Sequence, residues 1–184
     1  MSVIRRFIVL FDVALMLAWI TLAIVVYDQL PESIPTHFGP SGVADEFAAR
    51  SISSWFAMTT IGVCITLLLL GMAHLTYRRP ELYNMPGKDD MLRLSREDQR
   101  PFVEQLAMFM TVVATGVLLL FAAIQFDMWR VATTDQRGLS AVTWSVMAVF
   151  FGGMLIGLPI WMMRFKREVS AAREASPSGV RRAS

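Results

Sequence analysis

The chain has 184 residues, of which 55% are hydrophobic and 17% are charged, with a formal net charge of +2. Soluble domains average about 25% charged residues, so this composition excludes an ordinary soluble fold and an intrinsically disordered chain. One cysteine, Cys64, excludes a disulfide framework and a cysteine-based zinc site, and the small net charge argues against a nucleic-acid partner.

Four apolar segments are each long enough to cross a bilayer, which takes about 20 residues at the helical rise. They predict transmembrane helices over residues 7–27, 55–77, 102–126 and 142–165. The first segment is too long for a signal-peptide core and has no cleavage site, so we expect it to remain as a helix. The predicted fold is all-α: a polytopic membrane protein built as a four-transmembrane-helix bundle.

The distribution of basic residues predicts the orientation of this bundle. Residues 1–6, 78–100 and 164–184 carry 14 of the 17 Lys and Arg residues, whereas the loops at 28–54 and 127–141 carry three. Short cytoplasmic loops are enriched in Lys and Arg. Both termini are therefore predicted to lie inside the cell, and the two loops with few basic residues are predicted to face outward.

The sequence divides into three predicted parts. Residues 1–105 form a two-helix domain with an outer loop at 28–54 and a cytoplasmic loop at 78–100, and residues 106–165 complete the bundle. Residues 166–184 are basic and rich in Ser and Ala, which predicts a disordered cytoplasmic tail. The lipid bilayer is the partner that this organisation predicts.

The first predicted helix contains a carboxylate, Asp12, about 9 Å inside the membrane when counted from Arg6 at the helical rise. An acid at this depth is costly and usually faces the bundle interior with a polar partner. Candidate partners at a similar depth are His74, Glu104 and Gln105. We expect His74 or Gln105 to lie within hydrogen-bond reach of Asp12, which would then be a structural clasp or part of a proton relay.

The outer loop is the most distinctive segment of the sequence. Three prolines restrict its backbone and two glycines permit turns: Pro31, Pro35, Pro40, Gly39 and Gly42. The apolar Ile34 and Phe38 are expected to pack on the ends of the first two helices, so that residues 30–47 form a compact cap. We expect polar contacts to hold His37 and Asp45.

These two polar residues have two interpretations. With Glu32 and Glu46, His37 and Asp45 offer imidazole and carboxylate groups that suit zinc or manganese. Alternatively, they hydrogen-bond locally and hold the shape of the loop. Ligand pairs at i and i+4 are missing, which favours the second interpretation, so we predict neither a metal nor another cofactor.

The fourth predicted helix carries a small-residue motif, Gly153-x-x-x-Gly157, followed by Pro159. Such motifs let helix backbones approach closely in membranes. We expect this face to pack within the bundle, with homo-oligomerisation as the alternative, and we expect Pro159 to kink the helix.

The outer loop also resembles a known family. Leu30-Pro31, Ile34-Pro35, His37-Phe38, Gly42 and Asp45 resemble the domain of unknown function at the N-terminus of the SdpI family, which are bacterial membrane proteins that include a toxin-immunity protein. The resemblance covers roughly residues 7–105. It implies a multi-pass protein of the bacterial cytoplasmic (inner) membrane, and it marks Pro31, Pro35, His37, Phe38, Gly42 and Asp45 as the motif residues.

The resulting hypothesis is a non-enzymatic membrane protein that recognises a peptide, toxin or envelope component through its outer loop, in immunity or signalling. The sequence contains no P-loop, dinucleotide fingerprint or zincin motif. His37 and His74 are separated by about 30 Å of bilayer, so a catalytic triad is not expected. The alternative is a small proton- or cation-coupled carrier that uses Asp12 and His74, but the nearly apolar centres of the spans favour recognition.

Overall fold

The computed structural model describes residues 2–175 and confirms the predicted helical membrane fold. The first three long helices are α1 (Val3–Tyr27), α2 (Ile52–Leu75) and α4 (Arg96–Thr133). The fourth crossing consists of α5 (Ala141–Gly152), a π-helical turn (Gly153–Gly157) and α6 (Leu158–Ala175). All four are long and apolar enough to cross a membrane.

Short elements connect the long helices. The loop at 28–54 folds into an antiparallel hairpin of β1 (Ser33–Phe38) and β2 (Ala44–Ala49), which the all-α prediction did not include. A 3-10 turn (Pro80–Leu82) and the short helix α3 (Lys88–Leu92) lie between α2 and α4. We call the end of the bundle that holds the hairpin the hairpin end, and the end that holds residues 78–100 the basic end.

Serine caps set where the long helices begin. Ser2, Ser51, Ser95 and Ser140 directly precede α1, α2, α4 and α5. Each serine hydroxyl accepts a hydrogen bond from the backbone N–H three residues further on, which satisfies one of the unpaired donors of a helix start. The four entry points are therefore encoded locally in the sequence.

Helices α1, α2 and α4 form the packed part of the bundle, with three apolar clusters along its length. The cluster at the hairpin end contains Ala23, Leu30, Ile34, Trp55 and Met128. The central one contains Met16, Trp19 and Leu118. At the basic end, the connecting segment joins α4 and α6 through Tyr83, Met85, Met91, Leu94, Phe102, Leu106, Phe165 and Val169.

The fourth crossing packs on α4 but buries little of its own apolar surface. In its most apolar 18 residues none is buried, compared with 28% for α4. Its π-helical turn directly precedes Leu158 and Pro159. Proline has no N–H to donate to the carbonyl four residues earlier, so the widened turn accommodates Pro159 within a continuous helix.

The C-terminal segment differs from the prediction of a disordered tail from residue 166 onward. Helix α6 continues to Ala175 because Phe165 and Val169 are buried in the cluster at the basic end. Arg173 also forms an ion pair with Asp90 of α3. The remainder of the predicted tail, residues 176–184, lies outside the described residues.

Candidate functional site: a hairpin cap

The hairpin turns tightly at residues 39–43. Gly39 N donates to Val43 O at 2.9 Å, and Gly42 N donates to Gly39 O at 2.8 Å. Gly42 has φ +78°, a left-handed conformation that other residues rarely adopt. The predicted turn at these glycines is therefore present, with Pro40 in the turn, Pro35 on β1 and Pro31 just before that strand.

The inner face of the hairpin is packed onto the bundle. Ile34 is fully buried among Ala23 of α1, Trp55 of α2 and Met128 of α4, and Phe38 packs at the edge of the same cluster. The prediction of a compact cap is confirmed for Ile34, while Phe38 is only partly buried. Sequence reasoning did not anticipate α4 as the third wall, because that contact joins distant parts of the chain.

The hairpin and the loop between α4 and α5 form one unit. Ala44 N donates to Arg137 O at 2.9 Å, and Leu139 N donates to Gly42 O at 2.8 Å. A Cβ on Gly138 would lie 2.6 Å from Gly42 O, so the close approach requires glycine there. The hairpin is thus fixed to the loop that precedes α5. We call residues 28–51 and 134–140 together the hairpin cap.

A buried carboxylate holds the second loop in place. Asp127, fully buried on α4, accepts hydrogen bonds from Arg130 Nε at 2.9 Å, Ser140 N at 2.8 Å and Ser140 Oγ at 3.1 Å. Arg130 also donates to Gly138 O. Sequence reasoning missed this cluster, although a carboxylate and an arginine three residues apart at the end of an apolar helix are a usable signal.

Arg50 fixes the other side of the cap. Its guanidinium donates to Leu30 O at 2.8 Å and to Asp28 O at 3.3 Å, and it lies over the ring of Tyr27 with 5.7 Å between the guanidinium carbon and the ring centroid. These carbonyls follow the last turn of α1, where a cation is favourable. The base of the hairpin is therefore joined to the end of α1.

His37 and Asp45 lie together on the outer surface of the cap. His37 Nδ1 is 2.6 Å from Asp45 Oδ1, and their side chains are 56% and 50% exposed. The hydrogen bond to the Asp45 carboxylate, reinforced by its charge, raises the pKa of His37 above its ordinary value. The predicted polar contact is present, and it leaves both side chains accessible.

The rest of this outer surface is acidic with apolar side chains beside it. Glu32 and Glu46 are exposed, as are Phe47 at 55% and Val43 at 46%. Within residues 2–175 no three or more His, Cys, Asp or Glu side chains come together in a way that could hold a metal ion. Glu32 and Glu46 therefore do not complete a cation site around His37 and Asp45.

The intramembrane residues are placed differently from the prediction. Asp12 faces inward and is fully buried, as expected, but neither carboxylate oxygen has a hydrogen-bond partner. His74 lies on an exposed face of α2, and Gln105 donates to Glu168 Oε2 at 2.9 Å on the surface. The expected contact of Asp12 with either residue is wrong, because α1 directs Asp12 towards Thr115 in the middle of α4.

A polar network at the basic end was not predicted. Arg5, only 2% exposed, donates to Thr111 Oγ1 and to Tyr77 Oη, both at 3.0 Å. The Tyr77 hydroxyl in turn donates to Glu104, which also accepts from Ser2 N. Residues from α1, α4 and the end of α2 meet here. Glu104, a candidate partner of Asp12, is part of this network.

The glycine motif of the fourth crossing has no neighbour within the described chain. A Cβ built on Gly153 or Gly157 would have nothing within 4 Å. The expectation that this face packs inside the bundle is wrong, because the π-helical turn lies on an exposed part of the crossing.

Comparison with known proteins points to the segment that carries the cap. Residues 13–62 match the family model described as a domain of unknown function, DUF1648. This match runs from α1 through the hairpin into the first part of α2.

The chain is also similar to an uncharacterized protein of Archaeoglobus fulgidus, with 32% identity over 92 residues. Those residues are 49% of this chain and 50% of the relative, so the chain spans about half the length of the protein it matches. No solved structure matches the chain.

Proposed function

We propose that this protein is a non-enzymatic membrane receptor whose hairpin cap recognises a peptide or another component of the cell envelope. The observation that carries the proposal is the construction of the cap. Its inner face is tied to three helices and a second loop, while His37, Asp45, Glu46 and Phe47 stay exposed. Recognition commonly uses loops that a rigid scaffold holds in place.

The chemistry of the exposed surface indicates the kind of ligand. Asp45, Glu46 and Glu32 are acidic, and Phe47 adds an exposed aromatic ring beside them. Complementary charge increases association rate and specificity, and an aromatic side chain supplies contact area. The proposed ligand therefore combines basic and apolar groups, and a role in immunity or signalling of the SdpI type fits a receptor of this kind.

The carrier hypothesis has less support. It required Asp12 and His74 to act together, yet Asp12 is buried against α4 while His74 is exposed on α2. A transport path needs a succession of polar groups that extends across the membrane. We therefore keep recognition as the function and use Asp12 as a test of the alternative.

The proposal is tested by selecting binders from a random peptide library against the full chain in nanodiscs. We expect the enriched peptides to be basic with apolar residues, and we expect a double Asp45→Ala, Phe47→Ala variant to lose affinity about tenfold or more. Asp135→Ala removes another exposed acid from the cap and should keep wild-type affinity. Peptides that bind all three proteins equally would contradict the proposal.

Orientation is a necessary condition of the same proposal. In a Cys64→Ala background, Ser41→Cys should react with an impermeant thiol reagent added to intact cells, and Lys88→Cys should not. Labelling of the Lys88→Cys variant from outside would place the hairpin cap in the cytoplasm and refute recognition at the cell envelope.

The His37–Asp45 pair gives the binding a pH dependence. Below the raised pKa of His37, the protonated imidazole offsets the negative charge of Asp45. As pH rises through that pKa, the imidazole loses its charge, and the negative charge of Asp45 becomes available to a basic ligand. Binding of a basic peptide should therefore strengthen as pH rises through the pKa of His37. NMR titration should show this pKa falling towards its ordinary value in Asp45→Asn, because the main cause of the increase is removed.

A further inference from the structure

The basic end contains a polar cavity that the recognition function does not use. It has a volume of 590 Å³ and lies between the end of α2 and the start of α4. Four of its lining residues are arginines: Arg78, Arg79, Arg96 and Arg100. The other lining residues are Tyr77, Pro80, Glu81, Leu92, Gln99 and Val103.

Two local structural features bring these arginines together. Helix α2 ends at Leu75 and Pro80 starts the 3-10 turn, so Arg78 and Arg79 lie in the short connection between them. Arg96 and Arg100 are four residues apart in the first turns of α4, which places them on one face of that helix. The two pairs therefore line the same cavity from two sides.

Three of the four arginines in the lining form no ion pair within residues 2–175. Glu81 is the carboxylate in the lining, and it pairs with Arg79 at 3.5 Å. In the part of the chain that the structure describes, no carboxylate lies within ion-pair distance of Arg78, Arg96 or Arg100. Basic residues are generally enriched on one side of a membrane, which explains why this end of the bundle has many arginines. It does not explain why four of these arginines line one cavity.

We propose that this cavity binds a phosphate-bearing ligand. Guanidinium groups present forked donors that match phosphate oxygens, and several such groups around one site favour an anion with more than one charged oxygen. A volume of about 590 Å³ falls within the roughly 300–1,000 Å³ range of small-molecule sites, so the cavity has room for a ligand larger than a bare ion. An anionic phospholipid headgroup and a soluble phosphorylated molecule share this chemistry.

Tyr77 connects the cavity to the packed helices. It lines the cavity, and its hydroxyl contacts both Arg5 of α1 and Glu104 of α4. A ligand in the cavity therefore stabilises the junction of these helices, and binding raises the unfolding temperature by mass action.

The test measures thermal unfolding of the full chain in nanodiscs under three conditions: phosphatidylcholine alone, phosphatidylcholine with phosphatidylglycerol, and phosphatidylcholine with inorganic pyrophosphate in solution. We expect a higher unfolding temperature with at least one of the two anions. An effect of phosphatidylglycerol alone identifies a lipid headgroup as the source, and an effect of pyrophosphate identifies a soluble phosphorylated ligand. An absence of effect from both overturns the proposal.

A matched pair of triple variants separates the cavity from the general basic surface. Arg78→Gln, Arg96→Gln and Arg100→Gln together should weaken binding of the effective anion at least about tenfold. Arg93→Gln, Arg164→Gln and Arg167→Gln remove the same charge from exposed positions outside the cavity and should leave binding near wild type. Equal losses in the two variants would mean unspecific surface attraction and overturn the proposal.

Discussion

The packed helices and the fourth crossing use small residues in opposite ways. In α2, a Cβ on Gly62 would lie 2.7 Å from the Trp19 ring and 2.8 Å from Phe121 Cβ, so this glycine is a point of close helix contact. Gly153 and Gly157 in the fourth crossing meet nothing. Lipid tails are as apolar as helix surfaces, so the hydrophobic effect does not drive helices together within a membrane. Contact between helices there depends on close van der Waals packing and on interhelical hydrogen bonds. A small residue predicts packing only when a large side chain fills the space opposite it.

Buried hydrogen bonds add to the difference between the packed helices and the fourth crossing. Trp55 Nε1 donates to Ala23 O at 2.9 Å, and Thr59 Oγ1 donates to Gln125 Oε1 at 2.6 Å. Gln125 also donates to Trp55 O at 3.2 Å, which completes a buried chain of bonds through α1, α2 and α4. Close packing and hydrogen bonding therefore both hold the packed helices together. The hairpin cap packs on this group of helices.

The largest effect is expected from filling the close contact at Gly62. Gly62→Leu forces its side chain into Trp19 and Phe121, and overpacking of this kind costs about 1–3 kcal/mol or more. Gly71→Leu is the matched control, because Gly71 is on the same helix and has open space around it. Thermal unfolding in detergent should show a clear loss of stability for the first variant only. Equal unfolding temperatures would refute the contrast between filled and open glycines.

A second prediction concerns the buried carboxylate of the packed helices. Asp12 is buried with both carboxylate oxygens unbonded, so Asp12→Leu should increase the free energy of unfolding by about 1–3 kcal/mol. Asp12→Asn keeps a polar group at the position and should give little of this gain. Loss of stability in Asp12→Leu would mean that the carboxyl group binds something in the membrane, and the carrier hypothesis would regain support.

Local features of the sequence predicted the fold better than they predicted the contacts. The four spans follow from local hydropathy, and the cap follows from Pro35, Gly42 and the apolar Ile34. The pairing of β1 with β2 was missed because the prolines and glycines of this segment were interpreted as features of a stiff, turning loop. The network of Arg5 with Tyr77 joins residues 72 positions apart, and nothing in the local pattern of either residue identifies the other.

The smallest effect is expected at the glycine motif of the fourth crossing. Gly153→Leu and Gly157→Leu add side chains into open space, so each should change stability by less than about 0.5 kcal/mol. Leucine is also a better helix former than glycine, which offsets a small local cost. The measurement is thermal unfolding together with the oligomeric state by light scattering in detergent. Unchanged values for both variants support a surface that contacts lipid. A loss of stability together with dissociation of a dimer would instead assign the motif to an interface between copies of the chain, because the added side chains would then separate two helices that the glycines allow to touch.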